Sequence, residues 1–465
     1  MQKIDMPIGA RFIIEQLNDA GYEAYIVGGC VRDSILGKVP NDWDITTSAT
    51  PYQVKEIFRR TVDTGIQHGT VTVLVDKNIV AKGKPEHGGV YAFEVTTYRV
   101  DGEYEDHRRP NSVEFTTSLE EDLKRRDFTI NAMAYNDIDG VIDIFGGIDD
   151  LNNHVVRCVG NPSDRFDEDA LRILRAVRFA AQLGFEIDEA TRNAMSEQAE
   201  FLKDISAERI QVELTKLITS DNPGRLVEAY ELGLTKIILP EFDAMMQAQQ
   251  NNPYHKYTVG IHTIKVMENV PKDTAYRYAA LFHDAGKPVC KTTGADGVDH
   301  FYGHQKVSER MSKDIMRRLK MDNATIDRVA RIVLYHDYGI DGQDDATNIK
   351  AFRRFVAKMG LENMPDFFVI RRADMAGQSD YDLENRTKCI DTMEQLYATI
   401  RDEEHCLKIS DLAIDGKALM ELGMKPGRDM GDMLKFLLEI VLDSPELNQK
   451  DILVAAVEHR LKTAQ

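Results

Sequence analysis

Val27-Gly28-Gly29-Cys30-Val31-Arg32-Asp33, followed thirteen residues after Gly29 by Asp42-Trp43-Asp44-Ile45, decides how this chain is read. The apolar run Ala24-Tyr25-Ile26-Val27 has the length of a short strand and ends at two glycines, where a helix pattern opens. Glycines there let backbone N–H groups approach a phosphate, and the helix start favours an anion. A Gly-Gly pair by itself is a weak signal and more often marks a plain strand–helix turn. The Asp-x-Asp narrows the choice. Residues i and i+2 of a strand share a face, so Asp42 and Asp44 are expected to point the same way. Two like carboxylates side by side repel unless a cation lies between them, and Mg²⁺ suits oxygen ligands and phosphate-bearing substrates. Two such ions on the pair can activate a hydroxyl and neutralise a leaving pyrophosphate.

Composition sets the frame around this stretch. A chain of 465 residues has room for two to four domains with real cores. Hydrophobic residues make up 43% and charged residues 29%, ordinary for a globular protein and too apolar for disorder. No apolar run approaches the roughly 20 residues of a membrane span, and the N-terminal segment lacks a signal-peptide apolar region. The five cysteines stand singly, which reads as reduced thiols in a cytoplasm. The net charge of −19, from 77 acids and 58 bases, argues against coating nucleic acid by bulk attraction but leaves room for a local basic groove.

Periodicity divides the chain. In the first 140 residues helices and strands mix: a helix over 11–20 ended by Gly21, strands over 24–27, 71–76 and 91–99, a hairpin loop over 83–89 and a mobile polar loop over 100–117. From about residue 150 helical patterns dominate, over 168–183, 190–202, 207–219 and 223–232. Six of the twelve histidines lie between 255 and 336, and the helical stretch 407–465 is punctuated by glycines at 416, 423, 427 and 431.

With the glycine pair and Asp-x-Asp in this order, the sequence resembles the class II tRNA nucleotidyltransferases, the family of CCA-adding enzymes and bacterial poly(A) polymerases. Further motifs extend the likeness. Arg125-Arg126-Asp127-Phe128-Thr129-Ile130-Asn131-Ala132 resembles the motif that holds ribose and triphosphate; arginine forks suit phosphate oxygens. Phe166-Asp167-Glu168-Asp169-Ala170-Leu171-Arg172 is similar to the family's Glu-Asp-x-x-Arg template for the incoming base. As i and i+3 of one helix, Asp169 and Arg172 would lie side by side. Asp accepts from an exocyclic amine and Arg donates to a ring nitrogen or carbonyl, the edge pattern that reads cytosine or adenine. Arg175 and Arg178 continue that face toward the triphosphate. Asp143-Ile144-Phe145-Gly146-Gly147 resembles the hinge between head and neck. Ser206-Ala207-Glu208-Arg209 resembles the helix start bracing the nucleotide pocket, and Ser206 is equally a plain N-cap. Gly160-Asn161-Pro162 ahead of Arg165 resembles the CCA-adding branch, and a loop such as 101–110 implies full CCA addition or A-addition over CC-only addition.

A second set of residues resembles the HD superfamily of metal-dependent phosphohydrolases. His262, His283-Asp284 and Asp374, the last within Ala-Asp-Met-Ala, match its ligand order, and His304 and His336 fit the extra histidines of two-metal members. Imidazole with carboxylate suits Mn²⁺, Ni²⁺, Co²⁺ or Zn²⁺. The expected task is removal of 2′,3′-cyclic or 3′-phosphates from RNA ends. In the tail, Asp411–Gly431 resembles the C-terminal segment of HD-containing CCA enzymes; Lys417, Lys425 and Arg428 would meet RNA phosphates, or the segment is a helix–turn–helix packing module.

The resemblance implies an α+β fold: a polymerase-β-like nucleotidyltransferase head (1–142), then an all-α neck and body (143–245), HD domain (246–390) and tail (391–465). It implies CMP and AMP transfer from CTP and ATP to the tRNA 3′ end, with no membrane or DNA partner. Asp42 and Asp44 would hold Mg²⁺. Gly28, Gly29, Arg32, Asp33, Arg126, Asn131, Arg175 and Arg178 would hold the triphosphate side, Asp127 the ribose, and Asp169 with Arg172 the base. The alternatives are an A-adding enzyme or poly(A) polymerase, or a phosphohydrolase with an RNA-binding head, against which the intact Asp-x-Asp speaks.

Overall fold

The computed structural model describes residues 3–76, 89–102, 113–340, 345–403 and 405–463. They form two compact units, Met1–Pro240 and Glu241–Gln465. The expected loop residues 83–88 and 103–110 lie outside the described set.

Unit 1 is built on a seven-stranded sheet. Its strands are β1 (Ala24–Val27), β2 (Ile45–Thr47), β3 (Thr61–Gly65), β4 (Thr70–Asp76) and β5 (Val90–Thr97). After β6 (Arg99–Asp101) and β7 (Val113–Phe115), a separate ribbon, come β8 (Met133–Asn136) and β9 (Gly140–Asp143). The order is β3-β4-β5-β2-β1-β8-β9. β1 is buried along its whole length, as its unbroken apolar run dictates. The helix Ile8–Asp19 packs against it through buried Ile13, Ile14 and Leu17. Gly28, at a left-handed φ of +80°, turns β1 into the helix Gly29–Ile35.

Two expectations need correction here. The 100–117 segment is not all loop, because β6 and β7 pair antiparallel at its ends. Asp42 and Asp44 do not lie within a strand. β2 begins at Ile45, where ladder partners from β1 and β5 become available, and the aspartates lie just ahead of it, outside any helix or strand. Val27 N donates to Asp44 O at 3.0 Å, so the approach is still tied to β1.

Beyond the sheet unit 1 is mainly helical, with a two-stranded ribbon of Val155–Val156 and Glu186–Ile187. The junction at Gly146-Gly147 is tightly seated. Asp143 Oδ1 and Oδ2 accept from Gly147 N and Ile148 N at 2.7 and 2.8 Å. A Cβ on Gly147 would stand 2.4 Å from Thr129 O, so the backbone's close approach, rather than bending freedom, requires glycine there.

Unit 2 is helical apart from a short ribbon, Thr292–Thr293 with Asp299–His300. Val259–Glu268, Thr274–Phe282, Asn323–Tyr335 and Met364–Gly377 pack on one another, with His304–Arg318 along Asn323–Tyr335. An aromatic core of Phe352, Phe355, Phe367 and Phe368 lies beside them. The tail helices Gly416–Glu421, Arg428–Asp443 and Lys450–Thr463 close their own cluster through Leu419, Leu437, Val441, Leu453 and Val457, while Lys417, Lys425 and Arg428 are exposed. Among the described residues no helix is long and apolar enough to cross a membrane, and all five cysteines are free thiols.

Candidate functional site

In unit 1 the residues singled out by motif join into a continuous polar network. Arg32, buried on the helix after Gly28, pairs with Asp33 Oδ1 at 2.8 Å and donates from Nη1 to Asn131 Oδ1 at 2.7 Å. Asn131 Nδ2 donates to Asp127 Oδ1 at 3.1 Å. Asp127 Oδ2 accepts from Arg175 Nε and Nη2 at 2.8 and 2.5 Å. Arg175 lies 4.0 Å from Glu213, whose Oε2 is 2.6 Å from Arg178 Nε. Burial pushes the Asp127 carboxyl up, but the Arg175 charge and the hydrogen bonds from Asn131 and Arg175 outweigh it and hold it well below the usual carboxylate range. Burial pulls Arg178 down to about 10 against the opposing charge of Glu213. Phe179 is the apolar floor: the Arg178, Arg32 and Arg175 guanidinium carbons stand 3.7, 5.1 and 5.4 Å from its ring centre.

A second branch comes off Asp122, fully buried. It accepts from Arg125 Nη2 at 2.7 Å, Arg126 Nη2 at 3.3 Å and Thr46 Oγ1 at 3.1 Å, which ties the arginine pair to the strand behind Asp44. Arg126 also faces the glycine turn, its Nη1 3.2 Å from where a Gly28 Cβ would stand. The Asp44 side chain reaches solvent, yet its carboxyl is pushed up, first by the protein crowding it and also by Glu94 and Asp42, against the pull of Arg126. Glu94 precedes Val95, the β5 partner of Ile45, so it neighbours Asp44 across the parallel pair. Among the described residues, ligand atoms of Asp42, Asp44 and Glu94 do not converge within 4.8 Å as a metal-ligating trio does.

The pair expected to read the base is placed differently from expectation. Asp169 and Arg172 are not on one helix: Pro162–Glu168 ends, Asp169 is extended at φ −143°, and Leu171–Leu183 begins anew. The reason is local competition by the Asp169 carboxylate, which accepts from Leu171 N at 3.1 Å and from Arg209 Nη2 at 2.7 Å. Arg172 turns back to Glu168 Oε2 at 2.5 Å and Arg125 O at 2.9 Å. Both residues nevertheless line one open cleft of about 260 Å³ with Arg125, Arg126, Asp127, Leu171, Arg175 and Arg209. Arg32 and Arg178 are not in its lining. Ser206 is the N-cap residue of Ala207–Ile218 without a side-chain cap bond, so Arg209 is the member of that tetrapeptide that reaches the cleft.

The sequence reading missed Asp122, Glu213, Glu94 and Phe179. Asp122 carried a faint signal, a carboxylate three residues ahead of Arg125. Glu213 carried none, since its partner Arg178 lies 35 positions away.

In unit 2 all six expected ligands meet. His262 Nε2 lies 3.0 Å from Asp374 Oδ1, 3.2 Å from His283 Nε2 and 3.6 Å from Asp284 Oδ2. His304 Nε2 and His336 Nε2 lie 3.3 and 3.6 Å from Asp284 Oδ1 and 3.4 Å from each other. Two groups, His262-His283-Asp284 and Asp284-His304-His336, each hold their ligand atoms within 4.8 Å, with Asp284 common to both. Every Nδ1 faces a backbone carbonyl: His262 to Gly377, His283 to Ala280, His304 to Phe301 and His336 to Val333, at 3.1, 2.8, 2.8 and 2.7 Å. Nδ1–H donation there leaves each Nε2 lone pair turned inward, the tautomer a ligand needs. The Asp284 oxygens are buried without an aligned hydrogen-bond donor, although Lys287 Nζ is 2.7 Å from Oδ2. Such a donor set fits one or two borderline divalent cations. The cluster opens into a pocket of about 700 Å³ that includes Lys287, Arg371 and His255. Burial and the Lys287 charge pull His255 down to about 3.

Comparison with known proteins bears on both units. Residues 24–157 match the Poly A polymerase head domain, 184–246 the "Probable RNA and SrmB-binding site of polymerase A", and 300–457 a tRNA nucleotidyltransferase domain 2. The structure of the Bacillus stearothermophilus CCA-adding enzyme in complex with CTP is 29% identical, superposes with a TM-score of 0.68, and covers 98% of this chain and 97% of its own. The CCA-adding enzyme of Ligilactobacillus salivarius is 36% identical over 444 residues, 95% of this chain and 94% of that one. The CCA-adding enzyme of Lactobacillus helveticus is 33% identical over 460 residues, 98% of this chain and 97% of its own. On that end-to-end similarity, and with its sheet-built head and mainly helical remainder, the chain belongs to the class II CCA-adding enzymes, a family of nucleotidyltransferases.

Proposed function

We propose that this protein adds the CCA end to the 3′ terminus of tRNA from CTP and ATP by two-metal nucleotidyl transfer. The observation that carries the reading is the single cleft in which Asp127, Asp169, Arg172, Arg175 and Arg209 come together. Cytosine and adenine both present an exocyclic amine beside a ring acceptor; Asp169 accepts from the amine and Arg172 donates to the acceptor. Guanine and uracil present a carbonyl where the amine would be, which sets two acceptors face to face. Arg126 and Arg175 border the cleft and take the triphosphate. Arg32 and Arg178 lie outside the cleft lining and pair with Asn131 and Glu213, so their share is positional. The 3′-oxygen of the tRNA attacks the α-phosphorus, and pyrophosphate departs. Mg²⁺ ions at Asp42 and Asp44 would lower the pKa of that hydroxyl and neutralise the leaving charge. The raised Asp44 carboxyl, crowded and flanked by Asp42 and Glu94, favours such a cation.

A tRNA lacking CCA, incubated with CTP alone, ATP alone and both, tests the reading. Stepwise C, C and A addition is expected, and loss of it in Asp42→Ala/Asp44→Ala. Incorporation by the double variant would refute the role of the pair, and A-addition without C-addition would make the enzyme an A-adder.

The second unit supports a further reading as an HD phosphohydrolase that removes 2′,3′-cyclic or 3′-phosphates from RNA ends, leaving the 3′-hydroxyl that the head uses. Its support is the shared Asp284 and the inward Nε2 atoms of four histidines. Mn²⁺, Ni²⁺, Co²⁺ or Zn²⁺ there would supply an acidified water and polarise the phosphate. A water oxygen bonds to phosphorus, and the ester oxygen leaves and takes a proton. Arg371, bonded to Asp374 and lining the pocket, stands ready to hold the phosphate. Absence of phosphatase turnover in Ni²⁺- or Mn²⁺-loaded protein would sink this reading.

A further inference from the structure

The pocket beside the histidine–aspartate cluster is larger than a phosphate requires, at about 700 Å³. Its lining divides by chemistry. Lys287, Arg371 and Arg386 supply positive charge, whereas His300 and Tyr302 supply flat aromatic surface. These two rings are parallel to within 7°, with centres 5.4 Å apart, and Tyr302 Oη lies 3.5 Å from His300 Nδ1. Tyr302 is nonetheless 80% exposed, so the ring offers its surface to the pocket without serving the core. The turn that holds it also holds a candidate ligand. Gly303 takes a left-handed φ of +75°, and two residues after Tyr302 the His304 Nδ1 bonds Phe301 O at 2.8 Å. The backbone that carries Tyr302 is therefore tied to a candidate metal ligand.

We propose that Tyr302, backed by His300, is the platform on which the terminal nucleobase of the substrate stacks. This rests on the phosphohydrolase reading above. Stacking suits such a site because every base has a π-face, so RNA ends of any sequence can be seated. The phosphate goes to the cations and the metal cluster, the base to the tyrosine, and the hydrolytic step is unaltered.

The test uses full-length, Mn²⁺- or Ni²⁺-loaded protein as wild type, Tyr302→Ala and Tyr302→Phe, with 3′-AMP, 3′-CMP and the base-free glycerol 2-phosphate. Tyr302→Ala should raise KM for both nucleotides about 5–150-fold, the equivalent of a stacking contribution of roughly 1–3 kcal/mol per base. KM for glycerol 2-phosphate and the bound metal should not change, and Tyr302→Phe should match wild type. An equal KM change for all three substrates, or none, overturns the platform while leaving the phosphohydrolase intact. If no substrate turns over, the phosphohydrolase reading fails. The platform is then judged by calorimetry with 3′-AMP against inorganic phosphate: selective loss of 3′-AMP binding in Tyr302→Ala upholds it, and equal binding by both proteins overturns it.

Discussion

Replacing Asp127 by asparagine keeps the shape of the side chain and removes one charge from the centre of the unit 1 network. The carboxylate accepts from Phe128 N and Asn131 Nδ2 on one oxygen and twice from Arg175 on the other. Taking one partner from a buried ion pair costs about 3–5 kcal/mol. The Arg175 side chain is 33% exposed, so water recovers part of its charge, and about 2–3 kcal/mol is the expected cost here. Urea melts followed by Trp43 measure it, because the chain's single tryptophan lies in unit 1 and is half-buried. A cycle with Arg175→Met should return a coupling of about 1.5–3 kcal/mol. The pH dependence supplies an independent check. The folded Asp127 carboxyl is held below its unfolded value of about 3.9, so its stabilisation is complete above that pH and is lost as pH falls toward the folded value. The gap between wild type and Asp127→Asn should thus be about 1 kcal/mol smaller at pH 3 than at pH 7. A gap that is the same at both, or a coupling under about 0.5 kcal/mol, would refute the argument that charge holds this network together.

Three further outcomes are expected. Asp169→Ala should lower the kcat/KM preference for CTP over UTP on tRNA lacking CCA by about 5–150-fold, the equivalent of roughly 1–3 kcal/mol of base discrimination; an equal loss with both nucleotides would remove Asp169 from base reading. Gly147→Ala should destabilise the Trp43-reported transition by about 1–3 kcal/mol, since its Cβ would meet Thr129 O at 2.4 Å, and an unchanged midpoint would show that the junction relaxes at no cost. Asp284→Ala should lower bound transition metal, measured by elemental analysis after dialysis, for both ligand groups, whereas His336→Ala should affect one; CTP incorporation should persist in either variant. Equal losses in the two variants would contradict a shared Asp284.

The sequence was most legible where one local cause sets the conformation. The run into Gly28 reads as strand and turn because the residues are apolar and then glycine, and the structure has β1 followed by a left-handed φ there. It was less legible where distant partners decide. Asp42 and Asp44 look like strand residues, yet the strand starts only where Ile45 finds Ile26 and Val95 beside it. The helical period through 168–183 is real on both sides of Asp169, but a pattern cannot show that this carboxylate prefers Leu171 N and Arg209 to a helical turn. The histidines of unit 2 could be put in order because their sequence resembles the ligand order of the HD superfamily. Their Nδ1 bonds could not, because each depends on the backbone carbonyl that folding brings to it.

The net charge of −19 takes on a specific meaning at the cleft. Its arginines each meet an acid: Arg125 and Arg126 meet Asp122, Arg172 meets Glu168, Arg175 meets Asp127, and Arg209 meets Asp169. The acids fix guanidinium groups that would otherwise lose side-chain freedom on binding, so the cleft would be pre-organised for the proposed triphosphate. The same pairing cancels much of the field that would draw RNA from a distance. On the proposed reading a nucleotide would therefore compete with carboxylates for these arginines, and cations carried to Asp42 and Asp44 would shift that competition in its favour. The expected enzyme binds tRNA modestly, releases it after each addition, and weakens in its grip as salt rises, because the contacts that remain for phosphate are few and ionic.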